Sequence, residues 1–276
     1  MTRGLVTLGA IVALSIPLSA DVTVTSVVSM QAGGPAGAAM GNMAPRMTMR
    51  IKGLKARADI DMNGQTMSSI TDLGAKQMIL LRADQKTAQV LSADSMRGPN
   101  APMTMPKIDA TSKPTGRSQT INGVPCDEYD VAVKINMSEM SGSPQMPAEA
   151  AAMMKDVLMV MSGSTWVAKS GPGVADYAAF QQAASQANMA AMMGLGNAVP
   201  GMGAGGFDRL MSTFSGGSGL PYLTEMSMSF EGTGPMVEMM KQVGAMKMTN
   251  KVTEVSTAAI ADDLFAVPPD YKIVKQ

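Results

Sequence analysis

After residue 20 the chain is dominated by alternating apolar and polar positions, the signature of strands that bury one face. Asp21 to Met30 is rich in β-branched residues and predicts a first strand. Met47, Met49 and Ile51 alternate with Thr48, Arg50 and Lys52, and the next segment sets Ala56, Ala58, Ile60 and Met62 against Lys55, Arg57, Asp59 and Asp61. Asn63-Gly64 supplies the positive φ angles of a two-residue hairpin turn. Gln65 to Asp72, Lys76 to Ala83 and Lys86 to Leu91 continue the series, with turns at Leu73-Gly74-Ala75 and Asp84-Gln85. Short consecutive strands with such connections pair as an antiparallel meander.

Further along, Arg117 to Ile121, a turn at Asn122-Gly123 and Pro125 to Ile135 predict a hairpin with Tyr129, Val131, Val133 and Ile135 on one face. Strands follow at Ser164 to Lys169, around the only tryptophan, then at Tyr222 to Glu231 and Met246 to Thr257. Helical spacing is read at Ala148 to Met161, Val174 to Met193, Phe207 to Phe214 and around Met236 to Val243. Segments 31–45, 96–114 and 194–219, rich in Gly, Pro or Met, read as flexible insertions. The expected fold is mainly β with a helical lid, an α+β arrangement. It has one domain over 21–276, a half-open, strongly curved antiparallel sheet or incomplete barrel of about eleven strands covered by helices.

The first twenty residues have the form of a secretory signal: Arg3, an apolar run from Leu5 to Leu18, and Ser19-Ala20 before a cut near Ala20. That run is too short to span a bilayer, and Pro17 suits a signal better than a membrane helix. The expectation is an exported chain, periplasmic or secreted, beginning at Asp21 and without a transmembrane segment.

Composition narrows the chemistry. Lys plus Arg number 22 and Asp plus Glu 22, with no histidine, one cysteine and 31 methionines. Imidazole-based nucleophile activation and His-ligated zinc are excluded, as is an internal disulfide. Balanced charge gives no reason to expect nucleic acid. Cys126 reads as a buried inert thiol and Trp166 as a core anchor. Asp59 and Asp61 read as a solvated face, and Asp262-Asp263 as the start of a short helical turn. Gly201, Gly203, Gly205 and Gly206 lack the Lys-Ser/Thr of a phosphate loop and read as linker.

The segment Thr120-Ile121-Asn122-Gly123-Val124-Pro125-Cys126-Asp127-Glu128-Tyr129, the Trp166-Val167-Ala168 strand and the closing Asp263-Leu264-Phe265-Ala266-Val267-Pro268-Pro269-Asp270-Tyr271 resemble bacterial exported proteins of the lipoprotein-carrier type. The chain most resembles an uncharacterised exported domain family near those carriers. The resemblance implies a half-open barrel with a helical lid over a cavity for acyl chains, and no catalytic residues.

Methionine is the most unusual feature. Five Met-x-Met pairs occur, at 47/49, 103/105, 159/161, 226/228 and 246/248. On a strand both thioethers of such a pair face the same way, whereas on a helix they diverge by about 200°. The bland reading is core or cavity filling by a flexible side chain; the alternatives are soft-metal binding of Cu(I) or Ag(I) and oxidant scavenging. The expected function is non-enzymatic binding of a lipid, acyl chain or other apolar ligand, lined by Met47, Met49, Ile51, Tyr129, Val131, Met226, Met228 and Phe230. No cofactor is expected, and envelope proteins are the expected macromolecular partners. The alternatives are a methionine-based Cu(I)/Ag(I) protein and a structural or envelope-stress protein without a small ligand.

Overall fold

The computed structural model describes residues 21–32, 44–62, 64–92, 108–137, 149, 156–187, 213, 219–233, 237–239, 244 and 246–275. Residues 1–20, read as a secretory signal, and 201–206, read as linker, lie outside the described residues, as do residues 148 and 150–155 of the helix read at 148–161, most of the helices read at 207–214 and 236–243, and the end of the one read at 174–193.

Among the described residues, twelve strands form one open sheet: β1 (Val22–Ala32), β2 (Arg46–Lys52), β3 (Lys55–Met62), β4 (Gln65–Asp72), β5 (Gln77–Arg82), β6 (Thr87–Ser92), β7 (Ile108–Ile121), β8 (Val124–Asn136), β9 (Val157–Ala168), β10 (Leu220–Gly232), β11 (Met246–Ser256) and β12 (Lys272–Lys275). Their order across the sheet is β12-β6-β5-β4-β3-β2-β1-β11-β10-β9-β8-β7. Two meanders, β1 to β6 and β7 to β11, are joined where β11 pairs antiparallel with β1. The fold is therefore mainly β and antiparallel, as the alternation requires. Asn122 and Gly123, at φ 51° and 81°, close the β7–β8 hairpin as a two-residue turn of positive φ.

Three segments differ from the sequence expectation. Residues 108–114, read as part of an insertion, open β7. Its inward positions are Ile108, Ala110 and Ser112, of which Ala110 is too small and Ser112 too polar to make an apolar stripe, and Pro114 is tolerated because β7 is an edge strand and Pro114 borders a register shift. Residues 157–161, read as the end of a helix, open β9 instead. Val157 and Met161, four residues apart, share a helical face, but Val157, Met159 and Met161 also share one face of a strand, and pairing with both β8 and β10 decides between the two. The four-residue β12 has no counterpart in the sequence expectation, and it pairs parallel with β6, so the sheet is not purely a meander.

Helix α1 (Val174–Gln186) packs at the end of the sheet where β1, β8 and β10 begin. Val174, Tyr177, Phe180 and Ala184 are buried with Val22, Ile51, Leu220, Tyr222 and Cys126. On the face of β2–β6 opposite Ile51, the C-terminal segment lies over Ile70, Ile79, Leu81 and Ala88, with Ile260 and Phe265 as its anchors. A 3-10 turn at Asp262–Phe265, expected from the paired aspartates, shapes this strap.

Polar groups fasten the strap. Lys52 Nζ donates to Ile260 O at 2.7 Å and sits 2.8 Å from Asp262, while Ile260 N donates to Asp21. Arg57 donates to Leu264 O at 3.1 Å, and Lys86 pairs with Asp270 at 3.0 Å. Asp59 accepts from Arg57 and Ser68 and pairs with Arg50, with its side chain only 13% exposed. It therefore belongs to an enclosed ion cluster beside the strap, not to the solvated face expected of it. Asp61 is exposed and accepts from Thr66.

The hydrogen bond from Lys52 holds the Asp262 carboxyl below its ordinary range, and Lys86 does the same for Asp270. The bond to Asp262 raises Lys52 in return. The depressed carboxyls support the strap above their ordinary pKa of 3.8 and lose that contribution as pH falls through their lower folded values. Lys52 contributes below its ordinary 10.5 and loses its share as pH rises through its folded value. These groups are solvated, so the effect is local. Amide exchange of residues 257–271, corrected for intrinsic rates, is expected to accelerate relative to β3 as pH falls below 3.8, and Asp262→Asn is expected to remove part of that pH dependence.

Candidate functional site

The sheet register assembles a methionine-rich patch on one face of β1 and β7–β11. One cross-strand row runs Met30, Met248, Met226, Gly163, Val131, Ser112. The next runs Ala32, Met246, Met228, Met161, Val133, Ala110, and a third Phe230, Met159, Ile135, Ile108. Directly opposed residues share a face and lie within side-chain reach. Val131, Val133, Ile108 and Met226 form the buried centre, with Met161, Met248, Ile135 and Ala110 half-buried against them. Exposure grades outward, from 4% at Met226 to 48% at Met30.

Gly163 is the pivot of this arrangement. A Cβ there would lie 1.9 Å from Glu225 O and 2.9 Å from Met226 Cα, so β9 and β10 approach more closely than any side chain allows. Gly163 contributes no side chain between Met226 and Val131, its partners on either side, and both belong to one buried apolar cluster.

Above the rows lies a polar line: Val28, Asn250, Thr224, Thr165, Tyr129. The hydroxyls of Thr165 and Thr224, both buried, bond to each other at 3.0 Å. Asn250 Oδ1 and Ser112 Oγ are enclosed without a hydrogen-bond partner, and both belong to this face. Such oxygens are costly unless something supplies the missing bond.

The eight residues expected to line a ligand site all lie on the same face by register, but in separate surroundings. Ile51 is sealed into the core at α1, with Met49 packed against it, while Met47 is half-buried opposite Ser26. Tyr129 carries Lys169 over its ring at 5.1 Å. Only Val131, Met226, Met228 and Phe230 fall within the methionine rows. Met30, Met161, Met246, Met248 and Gly163 join them there. The pairing of strands reveals this set, and the one signal for it in the sequence is the placement of Met-x-Met on predicted strands.

Elsewhere, Cys126 is buried and burial pushes its thiol up, as expected of an inert cysteine. Burial also raises the Tyr177 and Tyr222 hydroxyls. Glu128 is buried, accepts from Thr115 at 2.7 Å and pairs with Arg117. Among the described residues no three Cys, Asp or Glu side chains converge to hold a metal, and no helix is long and apolar enough to cross a membrane.

No protein-family model and no curated protein matches the chain. Among solved structures it is similar to an uncharacterised conserved protein from Thermus thermophilus, at 7% identity over 94% of this chain and 92% of that one, with a TM-score of 0.38. Likeness at that level assigns neither a family nor an activity.

Gly163→Ala is expected to force β9 and β10 apart and to destabilise the fold by about 1–3 kcal/mol, the usual cost of overpacking. The exposed neighbour Ser162, changed to Ala, should alter stability by less than about 0.5 kcal/mol. Urea denaturation of both variants measures the difference.

Proposed function

We propose that the chain is a non-enzymatic exported binding protein, periplasmic or secreted, that holds a lipid, acyl chain or other apolar molecule on the methionine-rich face. The observation that carries this reading is the run of adjoining apolar rows on β1 and β7–β11, buried at Met226 and increasingly exposed toward Met30. Met side chains are unbranched and rotate freely, so such a face can repack around alkyl chains of different length. Each Å² of alkyl surface removed from water contributes about 25 cal/mol. The enclosed, unpartnered Asn250 Oδ1 and Ser112 Oγ would orient the ligand's polar end. The half-open barrel with a helical lid, implied by the resemblance to lipoprotein carriers, belongs to this reading, as do envelope proteins as donors or acceptors of the cargo.

Native mass spectrometry and lipid extraction of the protein purified from the exported fraction are expected to show a co-purifying mass of lipid size. Met226→Glu places a charge at the buried centre of the face and is expected to abolish uptake, whereas Met226→Leu keeps its volume and polarity and should retain it. A bare protein mass, or unchanged uptake by folded Met226→Glu protein, would contradict the reading.

A further inference from the structure

Two of the Met-x-Met pairs sit on adjacent antiparallel strands in matching register. Met226 lies opposite Met248 and Met228 opposite Met246, so the four thioethers occupy the corners of one quadrilateral on one face of β10 and β11. Directly opposed side chains leave the backbone about 4.5–5.5 Å apart. Those two positions apart along a strand leave it about 7 Å apart. Both spans are bridged easily by methionine, whose three rotatable bonds let four sulfur atoms converge on one point. Two further thioethers adjoin the block, Met161 opposite Met228 and Met30 opposite Met248.

The other described pairs have no such partner. Met47 and Met49 oppose Ser26 and Val24 on one side and Ile60 and Ala58 on the other. Met159 opposes Phe230 and Ile135. Simple hydrophobic filling has no need of sulfur at all four corners of one block.

We propose that Met226, Met228, Met246 and Met248 form a thioether site for a soft monovalent cation, Cu(I) or Ag(I). Neutral thioether donors select soft metals over hard ones. No carboxylate shares the rows, so a divalent charge would be left uncompensated there, while a single positive charge shared among three or four polarisable sulfurs is tolerated. The partial exposure of Met228, Met246 and Met248 gives the ion a way in, and buried Met226 forms the floor. The site needs sulfur, which the apolar-ligand reading does not, so the two are separable.

The test replaces all four residues by leucine in the full chain, keeping apolar volume and removing only sulfur. The parent protein is expected to bind one equivalent of Ag(I) by native mass spectrometry and to compete for Cu(I) against a chromogenic Cu(I) chelator. The fourfold leucine variant is expected to lose at least tenfold in affinity while keeping its far-ultraviolet circular dichroism. In parallel, methyl-13C methionine spectra of the parent protein titrated with Ag(I) are expected to shift at these four residues first, which tests the site even if the variant folds poorly. No binding by the parent, equal binding by a folded variant, or Ag(I) shifts at other methionines alone would overturn the assignment.

Discussion

The close approach of β9 and β10 at Gly163 governs the geometry of the methionine-rich face. No Cβ fits between the strands there, and Gly163 sits between Met226 and Val131, which belong to one buried apolar cluster. A larger residue would force the two strands apart at this point. The neighbouring pairings carry the same register into β11 and β1, which is why methionines far apart in the chain, such as Met30, Met226 and Met248, end as neighbours.

A sheet this wide has two faces, and each needs cover. The C-terminal strap covers one face of β2–β6 with Ile260 and Phe265, held by Lys52, Arg57 and Lys86. Helix α1 seals one end with Tyr177 and Phe180. Among the described residues, neither of these two elements covers the methionine face, whose apolar side chains run from fully buried to half exposed. The strap and the helix rigidify the frame, and the flexible thioethers supply adaptability where a ligand would meet it.

Much of the fold is legible in the sequence because β-hairpins are local. The alternation from Met47 to Leu91 and the Asn122-Gly123 turn lead directly to the observed pairings, since each strand finds its neighbour within a few residues. Legibility fails where a side chain is compatible with more than one period. Val157 and Met161 fit one face of a helix as well as one face of a strand, which hides the start of β9, and Ala110 and Ser112 give β7 too weak an apolar stripe to be seen between prolines. The strand β12 depends on a crossover to β6 that no local pattern encodes. For the candidate site, the Met-x-Met pairs are visible as pairs, but which pair faces which is a property of long-range register. Sequence therefore singles out Met226 and Met228 without Met246 and Met248, and groups Ile51 with them although the helix core claims it. Alternation places Asp59 in solvent because it cannot show that the strap and Arg50 enclose that carboxylate.

Both the binding face and the metal site depend on the register of β9, β10 and β11. A nuclear Overhauser spectrum of the backbone Hα protons and methionine methyls across these strands tests it most directly. Contacts are expected of Met226 with Met248, Met228 with both Met246 and Met161, and Met248 with Met30. A register shifted by one residue would turn Met246 and Met248 to the opposite face and bring Lys247 opposite Met226 or Met228, and that result would contradict the pairing on which both readings stand.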